Sequence, residues 1–225
     1  DLPREPSDRY AMAQEWSDYV TQLWKADSAF DWNGTFFRGK GVYVQPHPVQ
    51  SRGQVINAAS SQEDRAFAMR NANFLFTPVF DFGQAQETVT DIKSKAQSVG
   101  RSVEVLTFCT VVCRPTQKEA EDYLDWYANE NADWDAVDNL MTLQGMHAQS
   151  FTKEALAMFR DRFAAGHGGF PLVGTPDHIA DQLEQLSATG VAGTTLSFVD
   201  YAKEFPYFRQ EVLPRLEAKG LRQPL

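Results

Sequence analysis

The sequence predicts an α/β fold built on parallel strands. Two observations carry this prediction: short apolar, β-branched segments alternate with helical ones, and cap residues mark the ends of those helices. With 225 residues, 43% of them hydrophobic, the chain has enough material for a sizeable core, and one domain over 1–225 is the simplest expectation. A doubly wound open sheet and a closed barrel fit the pattern equally well.

The first two elements precede this alternation. Apolar and aromatic residues recur with a helical period from Ser7 to Asp27, and Ser7 or Asp8 is a suitable N-cap. Residues 30–48 carry glycines and prolines, including Asn33-Gly34, around short aromatic runs. This composition predicts a hairpin excursion.

Three strand–helix units follow. Strand 55–59 leads through a polar turn into helix 65–71, and strand 74–77 leads into helix 84–99, which Gly100 closes as a C-cap. The third unit joins strand 103–112 to a helix over 116–131. That helix begins with Thr116 and has Glu119 three residues later, which is the spacing of a capping box.

Residues 131–169 interrupt the alternation and contain helical pieces but no strand, so a lid-like insertion is predicted there. The pattern resumes with a short apolar run at 171–174 and a helix over 175–189, opened by a threonine N-cap and a proline at its first position. A strand at 194–198 and a helix over 205–219 complete the chain.

The composition excludes several classes of partner. The net charge is −9 and the basic residues are scattered, so a nucleic acid is not expected as a partner. No apolar run approaches the roughly 20 residues that span a bilayer, and the first residues are not signal-like, so we expect a cytoplasmic protein without a membrane partner.

The two cysteines are expected to be core residues. Cys109 and Cys113 lie on one predicted strand and point to the same face, about 13 Å apart, which is too far for a disulfide. No histidine or acid accompanies them at ligand spacing, so no metal site is predicted.

Three stretches resemble the luciferase-like flavin-dependent monooxygenase family. The first is Asp8-Arg9-Tyr10-Ala11, the second is residues 55–68, and the third is Val173-Gly174-Thr175-Pro176 with the residues behind it. The likeness covers nearly the whole chain. It is strongest to the branch that holds bacterial luciferase, alkanesulfonate monooxygenases and the pyrimidine-ring oxygenase.

The resemblance implies a TIM (β/α)8 barrel of the luciferase-like type. A complete barrel of this kind needs about 250 residues, and only four core strands are recognisable here, near Val55, Phe74, Val103 and Thr194. We therefore expect this chain to be the C-terminal part of the barrel, with the N-terminal strands missing.

The resemblance also implies a two-component monooxygenase. It would use FMN, as FMNH2, and O2 to oxygenate or cleave a small organic substrate, such as a sulfonate or a heterocycle, through a flavin peroxide. Because the sequence carries no GxGxxG fingerprint, a separate NAD(P)H-dependent flavin reductase is the expected partner, and a homo-oligomer is the family habit. The alternatives are a deazaflavin (F420)-dependent dehydrogenase, a lyase-like relative and a non-catalytic flavin-binding protein.

By match to the family, Arg9, Tyr10 and Ser61 are the predicted cofactor-binding residues. Ser61 would bind the FMN phosphate at a helix N-terminus, while Arg9 supplies a charged fork and Tyr10 a hydroxyl. The alternatives are an N-cap for Ser61, a surface ion pair for Arg9 and a packed aromatic for Tyr10. Ala59 and Asp64 depart from glycines of the family pattern, and an acid beside a phosphate is unfavourable.

No catalytic residue is predicted. Asn57 is a candidate donor to a developing oxyanion, and His147, His167, Arg160 and Arg162 in the lid-like insertion are weaker candidates for meeting an anionic substrate.

Other residues are expected to play structural parts. His47 and His178 are interpreted as surface residues. Trp126, Trp134 and the segment 141–146 would line an apolar pocket or pack beneath a lid.

Overall fold

The computed structural model of the chain describes residues 6–50, 53–58, 62–146 and 152–224. Ala59, Ser61 and His147, which the sequence singled out, lie outside the described residues. The chain divides into two compact units, one within Asp1–Phe76 and Ile92–Glu104 and the other within Thr77–Asp91 and Val105–Leu225. The prediction of a single domain with a lid-like insertion stays a prediction.

The first unit combines two helices, a hairpin and a pair of parallel strands. Strands β3 and β4 pair in parallel, with Asn57 opposite Leu75, while β1 and β2 form an antiparallel hairpin within the predicted excursion. The elements are α1 (Pro6–Lys25), β1 (Phe30–Asn33), β2 (Arg38–Val42), β3 (Ile56–Ala58), α2 (Gln62–Asn71) and β4 (Phe74–Phe76). Helix α3 (Phe82–Ser98) follows and contributes residues to both units.

The carboxylate of Glu15 fastens the hairpin to α1. It accepts hydrogen bonds from the backbone N–H groups of Thr35, Phe36 and Phe37 at the turn, and the Trp32 indole also donates to it. Desolvation raises the pKa of Glu15, but these hydrogen bonds outweigh it and hold the pKa below its ordinary value. Glu15 therefore joins two elements that a sequence pattern does not connect.

The second unit is built around one long strand. The elements are β5 (Glu104–Cys113), α4 (Gln117–Asp125), a π-helix (Trp126–Glu130), α5 (Trp134–Leu143), α6 (Lys153–Gly166), β6 (Phe170–Gly174), α7 (Pro176–Ala188), β7 (Gly193–Ser197), α8 (Tyr201–Glu211) and α9 (Leu213–Ala218). Both β6 and β7 pair with β5 in parallel, and Cys109 lies opposite Phe170 on one side and Leu196 on the other.

One face of β5 is fully buried. Val105, Cys109 and Val111 have no exposed surface, and Leu172 and Ile179 are equally buried. Both cysteines are free and buried, and burial raises the pKa of each thiol to about 11. The prediction that they are core residues is confirmed.

Two predicted helices differ from the structure at their ends. The capping box of Thr116 and Glu119 is present, but the helix after it changes from α to π at Trp126. The last predicted helix, over 205–219, is instead two helices. The first, α8, begins at Tyr201, because the Asp200 side chain accepts hydrogen bonds from the backbone N–H groups of Ala202 and Lys203. The second, α9, begins after Val212.

Among the residues that the structure describes, none of the helices combines the length and apolarity needed to cross a membrane.

Candidate functional site

Helices α1 and α2 of the first unit pack side by side and run in the same direction. The ring of Tyr10 lies 6.2 Å from that of Phe67, while Gln14 donates to Asn71 Oδ1 at 3.1 Å, as does Ser17. Asn71 returns a hydrogen bond to Gln14 at 2.7 Å. Because later residues of α1 meet later residues of α2, the N-terminal ends of both helices lie at the same end of the pair.

This end of the pair carries two of the three predicted cofactor residues. Arg9 is exposed and Tyr10 is half-buried on the first turns of α1, and helical side chains lean toward their own N-terminus. Ser61 immediately precedes α2 and lies outside the described residues. The assignment of the three residues to a cofactor therefore stays a prediction.

The geometry of this end suits a phosphate. Two parallel helices present the positive ends of their dipoles in the same direction. Arg9 adds a cation, and Glu15, nearly two turns further along α1, is engaged by the hairpin turn. The helix dipoles and Arg9 thus favour a dianion such as the phosphate of FMN, whereas the acids in the first turns, Asp8 of α1 and Glu63 and Asp64 of α2, oppose it.

A pocket of about 490 Å³ lies on the second face of β5, near its carboxyl end. Its floor is formed by Thr110 and Val112 with Pro171 and Val173, which lie directly opposite them in β6. Its roof is formed by α4, the π-helix and α6, through Leu124, Tyr127, Ala128, Met158 and Ala165. The carboxyl ends of parallel strands are where α/β enzymes place their sites.

The roof is joined to the floor by two hydroxyl groups. Tyr127 donates to the carbonyl of Ala165 at 2.9 Å, and Thr110 donates to the carbonyl of Gly166 at 3.2 Å. A Cβ atom on Gly169 would lie 2.7 Å from Thr110 Oγ1, so glycine is required at this approach. Burial raises the pKa of Tyr127 far above its ordinary value, so its hydroxyl stays protonated and donates to the Ala165 carbonyl.

The two arginines of the insertion have different surroundings. Arg160 forms an ion pair with both oxygens of Asp138, at 2.6 and 3.0 Å, and stacks over Trp134 at 4.1 Å. Arg162 lines the pocket and donates from Nη2 to the carbonyl of Phe80 at 2.7 Å. Arg160 is thus a structural residue, whereas Arg162 belongs to the pocket.

Most of the aromatic and methionine residues expected near a pocket pack into a core. Trp134, Met141 and Met146 form a cluster with Val137 and Phe159 between α5 and α6. Packing, rather than pocket lining, is therefore their role. Trp126 is about half exposed.

The histidines that the structure describes do not line the pocket. His167 ends α6 in the left-handed conformation, with φ of 56°, and His178 is exposed as expected. The prediction for His47 is corrected, because it is half-buried against Tyr43. His147 lies outside the described residues.

Asn57 lies on β3, and its Oδ1 atom is buried without a hydrogen-bond partner in the described part of the chain. The predicted role needs the Nδ2 donor of the same amide instead, so Asn57 as a donor to an oxyanion stays a prediction.

A buried ion pair at the end of β5 was missed by sequence reasoning. Arg114 donates to Glu204 Oε1 at 2.9 Å and stacks over the Tyr123 ring at 4.0 Å. It also donates to the carbonyl of Cys113. These contacts fasten α8 and α4 to the strand that forms the pocket floor. Because Arg114 and Glu204 are 90 residues apart in the sequence, no local pattern predicts that they form an ion pair.

The family model of luciferase-like monooxygenases matches residues 2–193. The chain therefore belongs to the luciferase-like monooxygenase family. It is 29% identical over 229 residues to the FMNH(2)-dependent dimethylsulfone monooxygenase of Pseudomonas fluorescens (strain Pf0-1), covering 96% of this chain and 61% of that relative. It is 26% identical over 274 residues to the dimethyl-sulfide monooxygenase of Hyphomicrobium sulfonivorans, covering 96% and 56% respectively.

The fold agrees with this membership. The crystal structure of DmoA from Hyphomicrobium sulfonivorans superposes with a TM-score of 0.83 at 20% identity, over 99% of this chain and 58% of that one. The predicted fold class, an α/β chain corresponding to part of a luciferase-like barrel, is confirmed. The chain spans about three fifths of the length of the curated relatives it matches.

Proposed function

We propose that this chain supplies flavin and substrate binding to a two-component FMNH2-dependent monooxygenase. The enzyme would use O2 to oxygenate or cleave a small organic substrate. The observation that carries the proposal is the parallel α1–α2 pair, which turns two helix N-termini, Arg9 and Tyr10 toward one end. The printed name of the Pseudomonas fluorescens relative, an FMNH(2)-dependent monooxygenase, supports the same cofactor.

Each region would have a separate task. Arg9 and Ser61 would hold the FMN phosphate by charge-assisted and backbone hydrogen bonds, and Tyr10 would donate its hydroxyl. When bound, reduced FMN supplies the electrons that activate O2. The pocket on β5 would hold the substrate body among apolar side chains and exclude water, because its two hydroxyls already donate to backbone carbonyls.

The proposal includes a separate reductase. The sequence has no GxGxxG motif for a nicotinamide dinucleotide, so reduced flavin would be delivered by an NAD(P)H-dependent partner. A homo-oligomer stays a prediction.

Anaerobic titration with reduced FMN tests the phosphate site. We expect the wild-type protein to bind, and Arg9→Gln and Ser61→Ala each to weaken binding about tenfold, since a hydrogen bond to a charged group contributes about 1.5 kcal/mol or more. Arg38→Gln, at an exposed position on β2, is the matched control and should bind as wild type does.

Rapid mixing of the reduced complex with oxygenated buffer tests the reaction class. Substrate-dependent uptake of O2 is expected of a monooxygenase. Binding of deazaflavin with hydride transfer and no uptake would establish the dehydrogenase instead. Tight flavin binding without any turnover would show a flavin-binding protein.

A further inference from the structure

We infer that the pocket on β5 takes an uncharged apolar substrate without a strong hydrogen-bond acceptor, such as a thioether or a short hydrocarbon. This inference rests on the proposed function and names the substrate class of the same pocket. The relatives do not decide it, because their printed names include both a dimethyl-sulfide monooxygenase and a nitrilotriacetate monooxygenase component.

The pocket has an open end and a closed end. Of its lining residues, Asn129, Met158 and Asp161 are exposed to solvent, whereas Thr110 and Val112 of β5 are buried. A substrate therefore enters past the first three residues and ends against the strand. The groups that it must leave water for are those of the closed end and of the walls.

The polar side chains of the interior are engaged within the described part of the protein. The hydroxyls of Thr110 and Tyr127 donate to backbone carbonyls of α6 at 3.2 and 2.9 Å. Arg162 borders the pocket, but its Nη2 atom donates to the Phe80 carbonyl at 2.7 Å and its Nη1 atom is buried, so its terminal nitrogens anchor α6 instead of facing a ligand. A sulfonyl or carboxylate oxygen placed here would lose its water without gaining a donor, which is unfavourable.

The walls between the two ends are apolar. The roof contributes Leu124 and Ala128, and the floor contributes Pro171 and Val173, around a volume of about 490 Å³. An alkyl group gains free energy by leaving water for such walls. Asp161 adds a negative charge at the open end, which opposes the entry of an anion.

Calorimetry with three matched probes tests this inference. Butyl methyl sulfide, butyl methyl sulfone and butanesulfonate share a butyl group and differ in the number and charge of their oxygen atoms. We expect the wild-type protein to bind the sulfide, to bind the sulfone about tenfold more weakly and to bind the sulfonate more weakly still, because its charge would be buried.

A donor placed in the wall separates the effect of the pocket from the stronger hydration of the sulfone in water. Leu124, half-buried on α4, lines the pocket, and Leu124→Gln supplies an amide N–H there. The ratio of sulfide to sulfone affinity should fall about fivefold in this variant. Leu183→Gln makes the same change at a half-buried leucine of α7 that does not line this pocket, and its ratio should equal that of the wild type.

The outcomes separate this inference from the proposed function. If reduced FMN binds and O2 is consumed, but butanesulfonate binds as tightly as the sulfide or Leu124→Gln leaves the ratio unchanged, the substrate class is wrong and the monooxygenase stands. If the sulfide binds and Leu124→Gln changes the ratio, but reduced FMN does not bind, the apolar site stands and the proposed function fails. Thermal unfolding of each variant shows whether a loss of binding is only a loss of fold.

Discussion

The α1–α2 pair and the pocket on β5 are built in opposite ways. The two helices of the pair are joined by side-chain hydrogen bonds among Gln14, Ser17 and Asn71. The candidate phosphate ligand of the pair, Arg9, is exposed. The pocket depends on close backbone approach and buried charge. A substitution in the first region should thus change ligand binding more than stability, whereas one in the second should change stability first.

The largest effect is expected at the buried ion pair beside the pocket. Glu204→Gln leaves Arg114 without its counter-charge, where the side chains are 22% and 8% exposed. We expect the free energy of unfolding to fall by about 3 kcal/mol, measured by urea denaturation. Asp122→Asn removes the partner of Lys118 in an exposed pair, and we expect no resolvable change in the free energy of unfolding. If the free energy of unfolding fell equally in both variants, the buried pair would contribute no more than the exposed one.

A smaller effect is expected where the roof meets the floor. Gly169→Val places a side chain 2.7 Å from Thr110 Oγ1 and 3.2 Å from its backbone nitrogen, so the backbone must move. The expected loss is about 2 kcal/mol, measured as a lowered melting temperature and urea midpoint. Gly53→Ala in the first unit, where the nearest atom is 3.7 Å away, should change stability by less than about 0.5 kcal/mol. If Gly169→Val were as stable as the wild type, there would be room for a side chain between Gly169 and Thr110 of β5.

The hydroxyl of Tyr127 provides the next test. Tyr127→Phe removes the donor to the Ala165 carbonyl, and we expect a loss of about 1 kcal/mol by equilibrium unfolding. Tyr201→Phe removes a more exposed hydroxyl, which donates to the Leu196 carbonyl at 3.2 Å, and its loss should be less than half as large. If the order were reversed, Tyr127 would not tie the π-helix to α6.

The smallest effect concerns pH in the first unit. The pKa of Glu15 is lower in the folded state than its ordinary value of 4.5, so its contribution to stability is present above that value and is lost as the pH falls through the folded pKa. Wild type should therefore be more stable than Glu15→Gln at pH 7, and the difference should shrink as the pH drops below about 4. Glu130→Gln, at an exposed position, is the control. A difference that does not vary with pH would refute this role.

The sequence predicted those features whose causes lie within a few residues. The capping box at Thr116 and Glu119 is confirmed, and so is the helix start at Thr175 and Pro176. Each needs only a side chain and a backbone N–H close along the chain. The strand near Thr194 was placed to within one residue.

Features that depend on distant contacts were not predictable. Tyr127 of the π-helix donates to the carbonyl of Ala165, 38 residues away, and the local bonds of Asn131 to the Trp126 carbonyl were not foreseen from the sequence. Strand β6 was recognised only as a short apolar run, yet it pairs with β5 over five residues. Of the candidate site, the resemblance indicated Arg9 and Tyr10, while the difference between Arg160 and Arg162 needed the positions of Asp138 and Phe80.

The buried cysteines have a practical consequence. With the pKa of each thiol at about 11, the reactive thiolate is scarce at neutral pH, and Cys109 has no exposed surface. An alkylating reagent should therefore reach Cys109 only when β5 separates from its neighbours. The chain has two cysteines, and in a Cys113→Ser variant the rate at which Cys109 is labelled measures how often the strand beneath the pocket opens.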